Sequence, residues 1–107
     1  MLDAVIYAVQ VGEDGPIKIG WCECIQKRLA ALQRANPAPL RVVVTILARR
    51  IVEKHLQAFL RDHHLRGEWF HPAPEVLDAL SHLKDGWRPP EGRFAPGLNP
   101  KWEGLEA

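Results

Sequence analysis

The N-terminal run of the chain constrains its fold most. Ala4-Val5-Ile6-Tyr7-Ala8-Val9-Gln10-Val11 is rich in β-branched residues and carries an aromatic, which predicts a strand over residues 4–11. Gly12 and Gly15 bracket a tight connection to a second strand over about 16–21, so the chain is expected to open with a hairpin. Ile25, Leu29 and Leu32 then recur at helical spacing, with Lys27, Arg28 and Arg34 off that face. Asn36-Pro37-Ala38-Pro39 stops this helix.

Leu40 to Leu47, with Val42, Val43, Val44 and Ile46, reads as a buried third strand. A second helix is expected from Ile51 to about Leu65, with Val52, Leu56, Phe59 and Leu60 facing inward. Arg66 to Phe70 reads as a turn and a short extended piece. Pro74 to Leu83 reads as a third helix, with Pro74 in its first turn and Val76, Leu77, Leu80 and Leu83 as its apolar stripe. After Lys84-Asp85-Gly86 the periodicity dissolves into a Pro- and Gly-rich segment. The expected organisation is one domain over 1–86 and a tail over 87–107, disordered or packing back through Trp87, Phe94 and Trp102.

At 107 residues the chain has room for one core. No stretch approaches the roughly 18 apolar residues of a membrane span, so no membrane partner is expected. No basic region precedes an apolar one at the N-terminus, so the expected compartment is the cytoplasm. Cys22 and Cys24 are too close in sequence for an unstrained disulfide and read as thiols.

The net charge of +1 conceals a segregated distribution. Residues 18–50 carry Lys18, Lys27, Arg28, Arg34, Arg41, Arg49 and Arg50 against Glu23 alone, a local net of +6. Mildly acidic segments flank it. A near-neutral protein can therefore present one positive face, suited to nucleic acid.

The hairpin and the following helix place Tyr7, Lys18 and Arg28 close together, and Glu53 opens a later helix. Each has an ordinary explanation: a core tyrosine, a wet lysine and arginine, and a first-turn glutamate favoured by the helix dipole. Together they suit metal-assisted phosphodiester hydrolysis. If Tyr7 and Lys18 share a sheet face, the ammonium would lower the phenol toward the range of a general base. The Arg28 guanidinium would hold a phosphate and its developing charge. Glu53 would be the single carboxylate ligand of Mg²⁺ or Mn²⁺. Lys27, Arg28 and Arg34 are the expected DNA-binding residues.

Several motifs occur in a fixed order: Val5-Ile6-Tyr7, Lys18-Ile19-Gly20, Arg28-Leu29, Leu32-Gln33, Asn36-Pro37, Glu53 and Gly67-Glu68-Trp69-Phe70. In this order they resemble the GIY-YIG nuclease superfamily, in particular its phage-type branch, over residues 4 to about 83. The resemblance implies an α+β fold, with a small three-stranded antiparallel sheet flanked by three helices. It implies hydrolysis of DNA phosphodiester bonds with one divalent metal. By position, Tyr7 would activate water, Lys18 would assist, Arg28 would hold the phosphate and Glu53 would bind the metal. Glu68 would support that shell from behind. The chain departs from the pattern in having Val5 for glycine and Gln57 where the branch often has histidine. His55 reads as a surface residue.

Three other readings compete. One is a DNA-binding module on the same fold that does not cut. Another is a zinc protein built from Cys22, Cys24, His63 and His64, though the spacings are unlike those of zinc ligands. The last is a partner-binding protein that uses the aromatic tail. The sequence contains no helix-turn-helix or finger, so sequence preference would come from a homodimer or a protein partner.

Overall fold

In the computed structural model, residues 4–87 are described. The hairpin forms as expected: β1 (Val5–Val11) pairs antiparallel with β2 (Ile17–Cys22), placing Tyr7 opposite Gly20 and Val9 opposite Lys18. Helix α1 (Ile25–Arg34) leads to β3 (Leu40–Leu47), which returns antiparallel along the other side of β1. Helix α2 (Arg50–Phe59) is followed by a 3₁₀ turn, a short hairpin of β4 (His64–Arg66) and β5 (Trp69–Phe70), and helix α3 (Pro74–Ser81).

The expected three-stranded sheet is in fact five-stranded, in the order β3-β1-β2-β5-β4, with every pairing antiparallel. The second helix stops at Phe59 rather than running to Leu65. The backbone that follows finds a ladder partner on the outer edge of β2, where Ile17 faces Phe70 and Lys18 faces Trp69. An open strand edge needs hydrogen-bond partners, and this hairpin supplies them. Helical spacing in the sequence does not report that competition.

The chain builds not the one core expected from its length but two smaller ones, because alternation along β1 sends its side chains to both faces of the sheet. Ile6 and Ala8 join Ile17, Ile19 and Val44 beneath Leu56 and Leu60 on one side of the sheet, and Val76, Ala79 and Leu80 of α3 close that core. Val5, Tyr7, Val9 and Cys22 face the other side, where Ile25, Leu29 and Leu32 of α1 cover them. The sheet is thus sandwiched between α1 and the α2–α3 pair.

Two expectations about burial fail. Strand β3 is an edge strand, not a buried one: only Val44 is buried, while Val42 and Leu47 are 46% and 68% exposed. Its register also shifts, with Ala8 opposite Val44 and Val9 opposite Val42, so Val43 is the extra residue of a bulge. In α3, Leu77 points outward while Val76, Ala79 and Leu80 carry the contact. Of the three tail aromatics, Trp87 packs tilted against Phe59 at 5.4 Å between ring centroids. Phe94 and Trp102 lie outside the described residues.

His55 is fully buried, contrary to its expected surface position, because the inward stripe of α2 includes Val52, His55 and Phe59 as well as Leu56. Burial pushes its imidazole below the ordinary 6.5. As pH falls through 6.5, an unfolded chain takes up a proton that the folded chain refuses. Stability is therefore expected to fall from that pH down to the depressed folded value, at no more than about 1.4 kcal/mol per pH unit. Melting curves of wild type and His55→Gln over this window check it: the variant should flatten the slope, and equal slopes would refute the assignment.

Candidate active site at the open edge of β2

The β2–β5 ladder is short. Past Lys18 and Trp69, the Ile19 amide donates to the Glu68 carbonyl at 2.9 Å. The Ile19 carbonyl then accepts not from a strand but from the Gln57 side chain, Nε2 at 2.8 Å. A helix side chain thus ends the sheet edge and pins α2 against β2. The same Gln57 Nε2 lies 3.3 Å from Glu53 Oε2, one helical turn earlier.

Glu53 is 1% exposed. Burial, and next the negative Glu68 carboxylate nearby, lift its pKa above the ordinary carboxyl range. Glu68 reaches this position because Gly67, at φ +55°, turns the β4–β5 hairpin tightly. The Lys18 ammonium binds Glu68 Oε1 at 3.2 Å and lies 5.5 Å from the Trp69 ring centre.

Tyr7 and Lys18 do share a sheet face, but the expected electrostatic link between them is absent. The ammonium is drawn to Glu68, and the cation on the Tyr7 hydroxyl is Arg28, whose Nη1 donates to Oη at 3.1 Å. The guanidinium also stands 5.8 Å from the Tyr7 ring centre. Burial raises the Tyr7 pKa; Arg28 opposes that rise without cancelling it. The lowered phenol expected from Lys18 is therefore corrected to a raised one.

An open groove of about 470 Å³ runs over the end of β2, lined by Trp21, Cys22, Glu23, Arg28, Arg50 and Glu68. Arg28 borders it from α1, Glu68 from the β4–β5 turn and Arg50 from the start of α2.

A family model for the T5orf172 domain matches residues 4–84. The chain belongs to the T5orf172 domain family. This corrects the resemblance to the GIY-YIG superfamily, which is a different family. The short motifs that carried the resemblance reflect a hairpin, a basic helix and a Gly-Glu turn, features that do not by themselves separate the two. Comparison with curated proteins and with solved structures gives no match.

The T5orf172 match spans every residue of the groove and the side chains beneath it. Of the residues expected in the site, Tyr7 and Arg28 meet on the α1 face, while Lys18 and Glu53 both meet Glu68 at the β2 edge. Lys27 and Arg34 are exposed on α1 and do not line the groove. Trp21 and Arg50 were not anticipated. The Trp21 indole N–H is fixed on the Ala48 carbonyl at 3.0 Å, and Arg50 lies 5.6 Å from its ring centre. The Arg49-Arg50 pair at a helix start was the available signal.

The donor set fits a hard divalent cation. Glu53 and Glu68 offer two neighbouring carboxylates, and their mutual repulsion would be relieved by positive charge. With only these two carboxylates such a cation would keep most of its waters. The zinc reading, which needs more protein ligands, finds none gathered. Among the described residues, no group of three or more His, Cys, Asp or Glu comes together. His63 instead contacts Glu75 at 3.0 Å and His64 contacts the Gly67 carbonyl at 2.8 Å.

Gly20 explains why the second motif of this T5orf172 domain ends in glycine. A Cβ built there would lie 2.5 Å from the Tyr7 hydroxyl and 2.6 Å from the ring carbon bearing it. The ring is fully buried and cannot yield easily. Gly20→Ala is expected to cost about 1–3 kcal/mol by overpacking and to displace the hydroxyl from Arg28. Denaturant melts alongside activity measurements check this; wild-type values in both would refute it.

Proposed function

We propose that this T5orf172 domain is a metal-dependent endonuclease that hydrolyses DNA phosphodiester bonds. The observation that carries the reading is that Arg28 and Glu68 both line one groove, Arg28 holding the buried Tyr7 hydroxyl behind it and Glu68 lying beside buried Glu53. The family, which is linked to nuclease-like proteins acting on DNA, supports the substrate class. So does the net +6 of residues 18–50. Among the described residues no helix is long and apolar enough to cross a membrane. A cytoplasmic site of action fits a DNA substrate.

In this reading Glu53, backed by Glu68, holds Mg²⁺ or Mn²⁺, which when bound would neutralise charge on the leaving oxygen. Arg28 binds the non-bridging phosphate oxygens through its guanidinium fork. As Arg28 turns from the Tyr7 hydroxyl to the phosphate, that hydroxyl is uncovered to a water at the groove wall. For Tyr7 to act as base, its own proton first passes to solvent, and the guanidinium still beside it stabilises the phenolate against the opposing effect of burial. The phenolate then takes the water's proton and returns to phenol as the hydroxide attacks phosphorus. Lys27 and Arg34 steer the duplex by charge rather than contacting the reacting phosphate. Arg50 and Trp21 offer a cation and an aromatic platform to a flanking nucleotide. A second copy or a protein partner supplies sequence preference.

One observation favours a second reading, a DNA-binding module that does not cut: Tyr7 is fully covered, with 0% exposure. One experiment separates the two. Plasmid, linear and branched DNA are incubated with Mg²⁺ or Mn²⁺, beside an EDTA control and Glu53→Ala. Metal-dependent cutting lost in the variant supports the endonuclease. Binding without cutting on every substrate supports the module instead.

A further inference from the structure

Lys18 occupies a position that the proposed chemistry leaves unexplained. Its stem is mostly covered, with 16% of the side chain exposed, and its ammonium rests on Glu68 rather than on Tyr7 or in open solvent. It is the cation paired with a carboxylate whose negative charge also acts on buried Glu53. Glu53 itself is held from the far side by Gln57, which the Ile19 carbonyl anchors, so Glu53 is fixed. Glu68 sits on a two-residue turn between short strands and is 37% exposed, so it is the partner able to reorient.

We infer that Lys18 is an internal stand-in for the metal: a divalent cation takes Glu68 from Lys18 as a second oxygen ligand beside Glu53, and so releases the ammonium for the DNA phosphate. This deepens the proposed metal site and rests on that reading. A divalent ion between two carboxylates outcompetes a monovalent ammonium on one of them. The released ammonium lies on the sheet face that carries Tyr7, at the edge from which Glu68 lines the groove. Metal loading would thereby add a positive group to the DNA surface, and by linkage DNA binding would favour metal loading.

The test is calorimetric titration of Mn²⁺ into the full chain without DNA, comparing wild type, Lys18→Met, Glu68→Gln and Glu53→Gln. Methionine keeps an apolar stem over Trp69, so the fold is retained; circular dichroism checks it. Removing the competitor is expected to tighten Mn²⁺ binding by roughly three- to tenfold, in line with a partly screened ion pair. Glu68→Gln is expected to weaken it by about tenfold or more. Unchanged or weaker binding in Lys18→Met overturns the inference, as does unchanged binding in Glu68→Gln. Uptake that depends on Glu53 but ignores both other variants leaves the metal site standing and refutes the exchange alone. A wild-type protein that binds no Mn²⁺ removes both.

Discussion

Glu53→Gln is expected to abolish metal-dependent DNA cleavage, by about 10³-fold or more, while making the metal-free protein harder to unfold. The carboxylate is buried beside a second carboxylate, and both circumstances raise its pKa. A raised folded-state pKa means that protonated Glu53 fits the fold and ionised Glu53 strains it. The penalty is absent below the ordinary value of 4.5, grows as pH rises through the raised folded value, and is constant above it. Glutamine keeps an oxygen able to accept from Gln57 and has no charge to bury. At neutral pH the gain should be on the order of 1 kcal/mol, or roughly 4–8 °C in Tm for a domain of this size. The two proteins should converge in Tm near pH 4. Adding Mg²⁺ should raise Tm for wild type and not for the variant, because only the former binds it. Calorimetric melts at several pH values, with and without Mg²⁺, test this. A variant less stable than wild type at neutral pH would mean that the carboxylate is a structural anchor and not a strained ligand.

Arg28→Ala carries the other large effect. The guanidinium satisfies the buried Tyr7 hydroxyl, so its loss should cost about 1 kcal/mol of stability. Cleavage should fall further, by roughly 10²–10³-fold, because the same group is assigned to the phosphate. Arg28→Lys distinguishes charge from shape. Lysine restores a cation but not a planar fork, so it should recover DNA affinity and little of the rate. Affinity measured with Ca²⁺ in place of Mg²⁺, over a salt series, should show Arg28→Ala lowering the log–log slope by about one. Full activity in Arg28→Lys would show that a point charge suffices. Tyr7→Phe should reduce the rate with little change in affinity, since its hydroxyl faces Arg28 and not the open groove.

How far the sequence discloses this arrangement depends on range. The β1–β2 hairpin and α1 are written in contiguous patterns, and the structure places them within a residue or two of expectation. Tyr7 and Arg28 are 21 residues apart but are brought together by that local unit, so their pairing could be anticipated. The carboxylate half is different. Glu68 reaches Lys18 only because a hairpin far downstream adds to the β2 edge, and no periodicity announces that pairing. Gln57 looked like a departure from an expected histidine; in place, its amide both donates to Ile19 and steadies Glu53. His55 was misjudged because hydropathy patterns assume that polar residues face water. Leu77 and the exposed face of β3 were misjudged for the converse reason, since an apolar residue is free to lie at an edge.

The site draws on β1, β2, α1, α2 and the turn before β5, five segments spread from residue 7 to residue 68. A chain still emerging from the ribosome would have made its tyrosine and arginine long before its second carboxylate. A molecule in which the last hairpin has peeled from the sheet would likewise lose Glu68 from Glu53 while keeping most of both cores. In either condition the protein could touch DNA through its basic segment without the means to break it. Under the proposed chemistry, the late, peripheral hairpin would make DNA cleavage depend on completion of the fold.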